Sequence, residues 1–353
     1  MNPWYIHIIE ILVVLILFTG VIVCTVTIMK SKKKQEKRNT KKVLLLLKFI
    51  LLIGMAVFML SHKTYYKYND WTILSNNINA VYGKYGEFDV RNINQDKAER
   101  NEFMKVLITG ASSGIGREMA RILASNCEQL VLVGRNTQQL EQLKKELSAN
   151  ATLQVMTVST DLSVTENCVR LHEAYPDVDL LINNAGFGDF GTFTETSLDK
   201  EMQMIDTNIK ALHILMKLYL VDMVKKDHGQ ILNVASIAGF MPGPLMGTYY
   251  ATKAYVVRLS EAVRKELKQK KSKVRISILC PGPVRTNFEK TANIKFNFGG
   301  KDVRKVAKYA LDHLNQFYIV PVFTVRASRV FLKILPTSWI AAIIYRVQSR
   351  RSR

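Results

Sequence analysis

The stretch Val106 to Gly116 reads VLITGASSGIG and narrows the choice of fold more than any other part of the chain. Apolar and β-favouring residues run into Gly110, a Ser/Gly turn follows, and Ile115 and Gly116 open an alternating helical pattern. A strand, a glycine turn and a helix N-terminus in that order form a receptive surface for a pyrophosphate. The glycines let the backbone come close, and the free N–H groups and positive dipole end of the helix meet the charge. A tight strand–helix turn with no ligand would use the same glycines, so the rest of the pattern has to decide.

From Lys105 onward short apolar runs alternate with amphipathic ones. The runs at 105–109, 129–133, 153–158, 179–183, 230–235, 274–280 and 318–321 read as strands. Those at 137–148, 165–174, 199–225, 249–270 and 302–315 read as helices. Such alternation implies parallel βαβ units, hence an α/β fold with a Rossmann-type, doubly wound, seven-stranded parallel sheet. Ligands in such sheets bind at the carboxyl ends of the strands, and those ends are distinctive here. The second strand runs into Gly134-Arg135-Asn136, with no carboxylate for an adenosine ribose. Arg135 suits a 2′-phosphate, which favours NADP (NADPH) over NAD; a solvated turn arginine is the plainer reading. Asp161 follows the third strand, Asn183-Asn184-Ala185-Gly186 ends the fourth, and Cys280-Pro-Gly-Pro-Val284-Arg-Thr286 ends the sixth.

Tyr249 and Lys253 lie four apart in a helical run and so share a face, while Ser236 ends the preceding strand. A phenol titrating near 10 is a poor acid–base group at neutral pH, and a neighbouring ammonium would bring it down toward the working range. A serine hydroxyl would meanwhile hydrogen-bond a carbonyl oxygen. A Tyr-x-x-x-Lys pair alone is common on helices.

The ordered set formed by Thr109-Gly110-x-x-x-Gly114-x-Gly116, Asn-Asn-Ala-Gly, Asn208, Ser236, Tyr249 and Lys253 resembles that of the short-chain dehydrogenase/reductase family. The likeness covers roughly Lys105 to Pro321. The stretch from Asn183 to Gly188 and that from Cys280 to Thr286 are similar to those of DltE-type oxidoreductases. They are more distantly similar to those of membrane-bound 3-ketoacyl-CoA and hydroxysteroid reductases. The resemblance implies a catalytic set of Asn208, Ser236, Tyr249 and Lys253, with Asn208 holding a water in a proton relay to the lysine. It implies that Gly110, Ser112, Gly114, Ile115, Gly116, Arg135, Asp161, Asn184, Tyr249, Lys253, Val284 and Thr286 bind the cofactor. In that set Asp161 caps the adenine, and Val284 and Thr286 contact the nicotinamide carboxamide. Family members commonly associate through their long helices, which admits a homodimer.

Charge enters when the flanks are considered. The formal net charge is +21, which raises nucleic acid as a partner. Yet the excess lies beside apolar runs: residues 317–353 carry seven basic side chains and no acidic one. That pattern suits an anionic membrane surface, and no nucleic-acid recognition motif appears. Ile6 to Met29 is long enough to span a bilayer and lacks the basic leader and small-residue cleavage site of a signal peptide. A lysine-rich loop separates it from a second apolar run, Val43–Leu60. The positive-inside rule puts that loop in the cytoplasm, which sets a two-span hairpin against a catalytic domain needing the cytoplasmic cofactor pool. A re-entrant or interfacial second run would remove the conflict.

The expected organisation is a membrane anchor at 1–60, a juxtamembrane linker at 61–103, an NADP-binding domain at 104–325 and a basic amphipathic segment at 326–353. In the last, Ile340, Ile343, Ile344 and Val347 follow one-face helical spacing, as in a membrane-surface helix or one that packs on a core or a partner copy. Between Asn287 and Gly300, Phe288, Phe296 and Phe298 read either as an apolar substrate lid or as core. Cys24, Cys127, Cys168 and Cys280 show no metal spacing and read as reduced, and the histidines form no ligand group, so no metal is expected. The expected function is a membrane-anchored, NADP-dependent oxidoreductase interconverting a ketone and a secondary alcohol on a hydrophobic substrate, its catalytic domain facing the cytoplasm. A non-catalytic NADP-binding sensor or scaffold at the membrane is the alternative.

Overall fold

The computed structural model describes residues 105–148, 152–286, 288, 292, 301–321 and 335–349, all within one compact unit, Ile93–Arg353. The two apolar runs before residue 61, the 61–103 linker and most of the 287–300 segment lie outside the described residues. Among the described residues no helix is long and apolar enough to cross a membrane.

Seven strands form one sheet: β1 Lys105–Thr109, β2 Gln129–Gly134, β3 Gln154–Ser159, β4 Leu180–Asn183, β5 Gln230–Val234, β6 Arg275–Leu279 and β7 Tyr318–Ile319. Their spatial order is β3-β2-β1-β4-β5-β6-β7, and every neighbouring pair is parallel. The helices are α1 Gly114–Leu123, α2 Thr137–Leu147, α3 Thr165–Ala174, α4 Leu198–Ile205, α5 Leu212–Lys226, α6 Gly247–Gln269, α7 Val303–Asp312 and α8 Thr337–Ser349. Because successive strand residues point to opposite faces, β1 feeds two cores. Val106 and Ile108 join one side with Met119 and Leu140 of α1 and α2, and Leu107 joins the other with Leu215 and Val256 of α5 and α6. Both faces being covered, the central strands are near-continuous apolar runs, as a buried parallel sheet requires.

The chain starts its sheet in the middle and reverses direction between β1 and β4, where Val106 pairs with Leu180 and Ile108 with Ile182. A crevice opens outside the carboxyl ends of strands at such a reversal. The expected single helix at 199–225 is interrupted: a π-helical segment, Asp206–Ala211, separates α4 from α5. The π-helical turns lie inside a continuous helical run, so a helical reading of the sequence covers them without marking them.

Candidate active site

The crevice at the reversal is a cleft of about 750 Å³, within the range of cofactor and ligand sites. Its first part is made of backbone. Gly110 turns with φ +66°, a conformation that side chains rarely adopt. The turn is clamped to β4 from the other side of the reversal. Thr109 Oγ1 accepts from the backbone N–H of Asn184 (2.9 Å) and of Ala185 (3.0 Å). Asn184 Nδ2 donates to the carbonyls of Thr109 (2.9 Å) and Gly110 (3.1 Å). Asn184 therefore shapes the glycine turn as well as lining the cleft. Thr109, which the sequence reading left out of the cofactor set, is its counterpart.

Ser112, Gly114, Ile115, Arg135, Asp161, Asn184, Val284 and Thr286 all line this one cleft. Gly116 sits one turn into α1 with Gly110 close against it, where even a Cβ would stand 2.6 Å from the Gly110 carbonyl oxygen. Thr286 leans over Gly114, and its Oγ1 accepts from the Phe288 N–H at 3.2 Å. Arg135 is exposed at the end of β2, and Asp161 faces it from the end of β3. Burial pulls the Asp161 carboxyl upward, but the Ser163 N–H, at 2.9 Å, and the Arg135 charge outweigh it and hold the group below its ordinary value.

The second part of the cleft brings together the expected reacting groups. Ser236 follows β5; its Oγ accepts from the Ala238 N–H (3.1 Å), donates to the Pro281 carbonyl (3.5 Å) and lies on the same cleft wall as Tyr249. Lys253, only 5% exposed, donates from Nζ to the Val234 carbonyl at 2.9 Å, and its Nζ stands 5.8 Å from the Tyr249 ring centre. Asn208 lies in the π-helical segment, buried, with Oδ1 accepting from Phe187 N–H (3.0 Å) and Nδ2 donating to the Phe187 carbonyl (2.9 Å) and Thr252 Oγ1 (3.1 Å). Asn208 Oδ1 and Lys253 Nζ both border Gly186.

One electrostatic expectation is reversed. Burial pushes the Tyr249 hydroxyl well above its ordinary value near 10, and the Ser236 hydroxyl offsets only part of that. Lys253 is not among the groups that move the phenol: its ammonium is aimed at a backbone carbonyl, and desolvation drives Lys253 itself down to about 8. Tyr249 is thus held protonated across the neutral range. Among the cysteines Cys127, Cys168 and Cys280 are buried, and burial lifts the Cys127 thiol to about 12 and the Cys168 thiol to about 11.

Beyond these groups the lining turns apolar, with Phe187, Met241, Met246, Tyr250, Phe288 and Ile344. Phe288 packs on Tyr249 at 5.3 Å between ring centres, so of the three expected lid aromatics the described one is in the site. The C-terminal stripe is divided. Ile340 is buried and Ile344 lines the cleft, while Ile343 and Val347 face outward beside Trp339. Gln348 belongs with Ile340 and Ile344 and was missed. A polar residue four positions beyond two inward isoleucines was the available signal.

A family model described as short chain dehydrogenase matches residues 104–296. An uncharacterised oxidoreductase of Staphylococcus saprophyticus is 32% identical over 227 residues, covering 61% of this chain and 96% of that protein. Dehydrogenase/reductase SDR family member 7B of Mus musculus is 31% identical over 194 residues, covering 53% of this chain and 59% of its own length, so the chain spans about three fifths of that relative. Among solved structures, a short-chain dehydrogenase from Sphingobium yanoikuyae in complex with NADPH gives a TM-score of 0.61 at 30% identity, covering 65% of this chain and 92% of the other. One from Burkholderia phymatum in complex with NAD gives 0.59 at 27% identity, over 65% and 92%.

Proposed function

Because the chain belongs to the short-chain dehydrogenase/reductase family, and is a dehydrogenase or reductase on that ground, we propose that it interconverts a ketone and a secondary alcohol on an apolar substrate with NADP(H). The observation that carries this reading is the convergence of Ser236, Tyr249 and Lys253 where the backbone-built part of the cleft meets the apolar part. The Gly110 turn and the N-terminus of α1 fit a pyrophosphate. When bound, the nicotinamide supplies or takes up the hydride. The chain's own groups manage the oxygen. Ser236 hydrogen-bonds the carbonyl, and Tyr249, kept protonated by its burial, gives its proton as the oxygen gains charge. Lys253 keeps a positive charge beside the tyrosine below about pH 8. Arg135 at the end of β2 supports NADP over NAD, its guanidinium being suited to a 2′-phosphate.

Residues 1–60, by their apolar runs, anchor the protein in a membrane, with the catalytic domain toward the cytoplasmic cofactor pool. Alkaline extraction of membranes and protease protection of the full chain test this. Release by alkali would sink the anchor, and protection of the domain would sink the orientation.

The enzymatic proposal is tested by titrating the protein with NADPH and NADH, followed by nicotinamide fluorescence, and by assaying ketone reduction with Tyr249→Phe beside it. Tighter NADPH binding is expected. Turnover by the variant should fall by roughly 10²–10⁴-fold while NADPH binding persists. Turnover unchanged in Tyr249→Phe would overturn the assignment.

A further inference from the structure

Helix α8 is two-sided. Positions 340, 344 and 348 recur every four residues and share one face. Ile340 is 4% exposed, Gln348 is 1% exposed, and Ile344 lines the cleft. On the other side Trp339 and Ile343 are 59% and 54% exposed. The inward face is thus held against the domain, with one of its side chains forming cleft wall.

What holds it there is polar. Gln348 Nε2 donates to the Tyr250 hydroxyl at 2.8 Å. The other end of the same amide, Oε1, is buried and has no partner among the described residues. A buried amide with one end unmet is costly, and a leucine at that position would bury more cheaply. The hydrogen bond therefore does something that packing alone would not: it fixes the register of α8 against one particular tyrosine. Tyr250 is the neighbour of Tyr249 on α6, their rings meeting edge-on at 6.1 Å. The Tyr250 ring also covers Gly243, where no Cβ could be accommodated. Ile344 is one helical turn, roughly 6 Å, from Gln348. The wall is in this way tied by a short chain of contacts to the proton-donating tyrosine.

We propose that Ile344 sets the length and bulk of substrate the cleft accepts, and that the Gln348–Tyr250 hydrogen bond holds this wall at a fixed distance from Tyr249. The substrate class is a ketone or secondary alcohol near one end of an apolar chain. Its oxygen lies at Ser236 and Tyr249, and its chain runs past Met246 and Phe288 toward Ile344. This inference rests on the reductase reading above for the identity of the reacting end. Gln348 is a positioning residue; it acts through Tyr250 and Ile344.

The test uses the full chain at a fixed detergent concentration, with butan-2-one and decan-2-one as probes. It compares wild type, Ile344→Ala, Ile344→Trp, Gln348→Leu and Tyr250→Phe. Both KM and kcat are read from turnover, and decan-2-one affinity is read separately by calorimetry. Ile344→Trp should raise the KM and Kd for decan-2-one by roughly tenfold or more relative to butan-2-one, and Ile344→Ala should shift the preference toward longer chains. Gln348→Leu keeps the burial and removes the bond. It and Tyr250→Phe should each blunt the preference between the two ketones by a similar, smaller factor. Chain-length preference and affinity unmoved by Ile344 would overturn the proposal, as would Gln348→Leu leaving the preference intact. Decan-2-one affinity that follows Ile344 without any ketone turnover would leave the wall standing and remove the reductase reading. Turnover with no dependence on residue 344 would do the reverse.

Discussion

At one end of the cleft the surface offered to a ligand is backbone: the Gly110 turn, the first N–H groups of α1 and carbonyls fixed by Asn184. At the other it is side chain: Phe187, Met246, Phe288 and Ile344, drawn from the loop after β4, the start of α6, the segment after β6 and the last helix. The first kind of surface is set by a few consecutive residues and tolerates almost no added atom. The second is set by distant segments and can be re-cut by substitution. A backbone site is fixed by main-chain position, and a side-chain site is open to change by substitution.

That contrast can be broken from either end. The largest effect on cofactor binding is expected at Gly116, where a side chain must displace the Gly110 carbonyl or Asn184. Gly116→Val should weaken NADPH binding by roughly 100-fold, the upper end of an overpacking cost, read by fluorescence titration. A folded variant that binds normally would show that the turn is not the nucleotide surface.

Lys253 comes next. Its folded value, about 8, lies below the ordinary 10.5, so between these values the unfolded chain holds more protons and stability rises with pH through that window. Lys253→Met should abolish turnover yet stabilise the fold by about 2 kcal/mol at pH 7, after allowing for the lost hydrogen bond. The gain should vanish by about pH 10.5, as urea unfolding at several pH values would reveal. A variant less stable than wild type at pH 7 would mean that the ammonium is not desolvated.

Arg135→Ala should reduce the preference for NADPH over NADH by roughly tenfold, one charge-assisted contact's worth, with little effect on ketone KM. The smallest change is expected at the substrate end. Phe288→Ala should raise ketone KM by roughly three- to tenfold with NADPH affinity unchanged, since one apolar wall residue contributes about 1 kcal/mol of binding. Equal effects of Phe288→Ala on both ligands would erase the division drawn here.

The same division governs what could be read from the sequence. The central strand runs β1, β2 and β4 were legible because they are near-continuously apolar and are closed by a glycine or polar residue, while β3 is half exposed and mixes in polar residues. β1 falls at Lys105–Thr109 as expected, whereas the edge strand β7 is only Tyr318–Ile319, short of the 318–321 run. The glycine turn and Asn184 were legible because they are local. The π-helical segment at Asn208 was not, since it lies within a longer helical run and no residue type marks the change of hydrogen bonding. The direction of the Tyr249 shift was not legible either: a Tyr-x-x-x-Lys spacing reveals nearness but not the desolvation that acts on both groups. The spacing of Gln348 after Ile340 and Ile344 signalled an inward position, but its partner, Tyr250, lies nearly a hundred residues away and no periodicity within α8 names it.

The clamp between Thr109 and Asn184 also carries a consequence for how the protein comes into being. The bonds that fix the glycine turn come from β4, 74 to 76 positions later in the chain. During synthesis the N-terminal β-strands can collapse on their helices while the turn still lacks its clamp. Parallel pairings of such separation are slow, because loop closure must precede the contacts that reward it. The first motif of this domain to leave the ribosome is thus among its last parts to take working shape. A nascent chain stalled before β4 would fold strands without a nucleotide site.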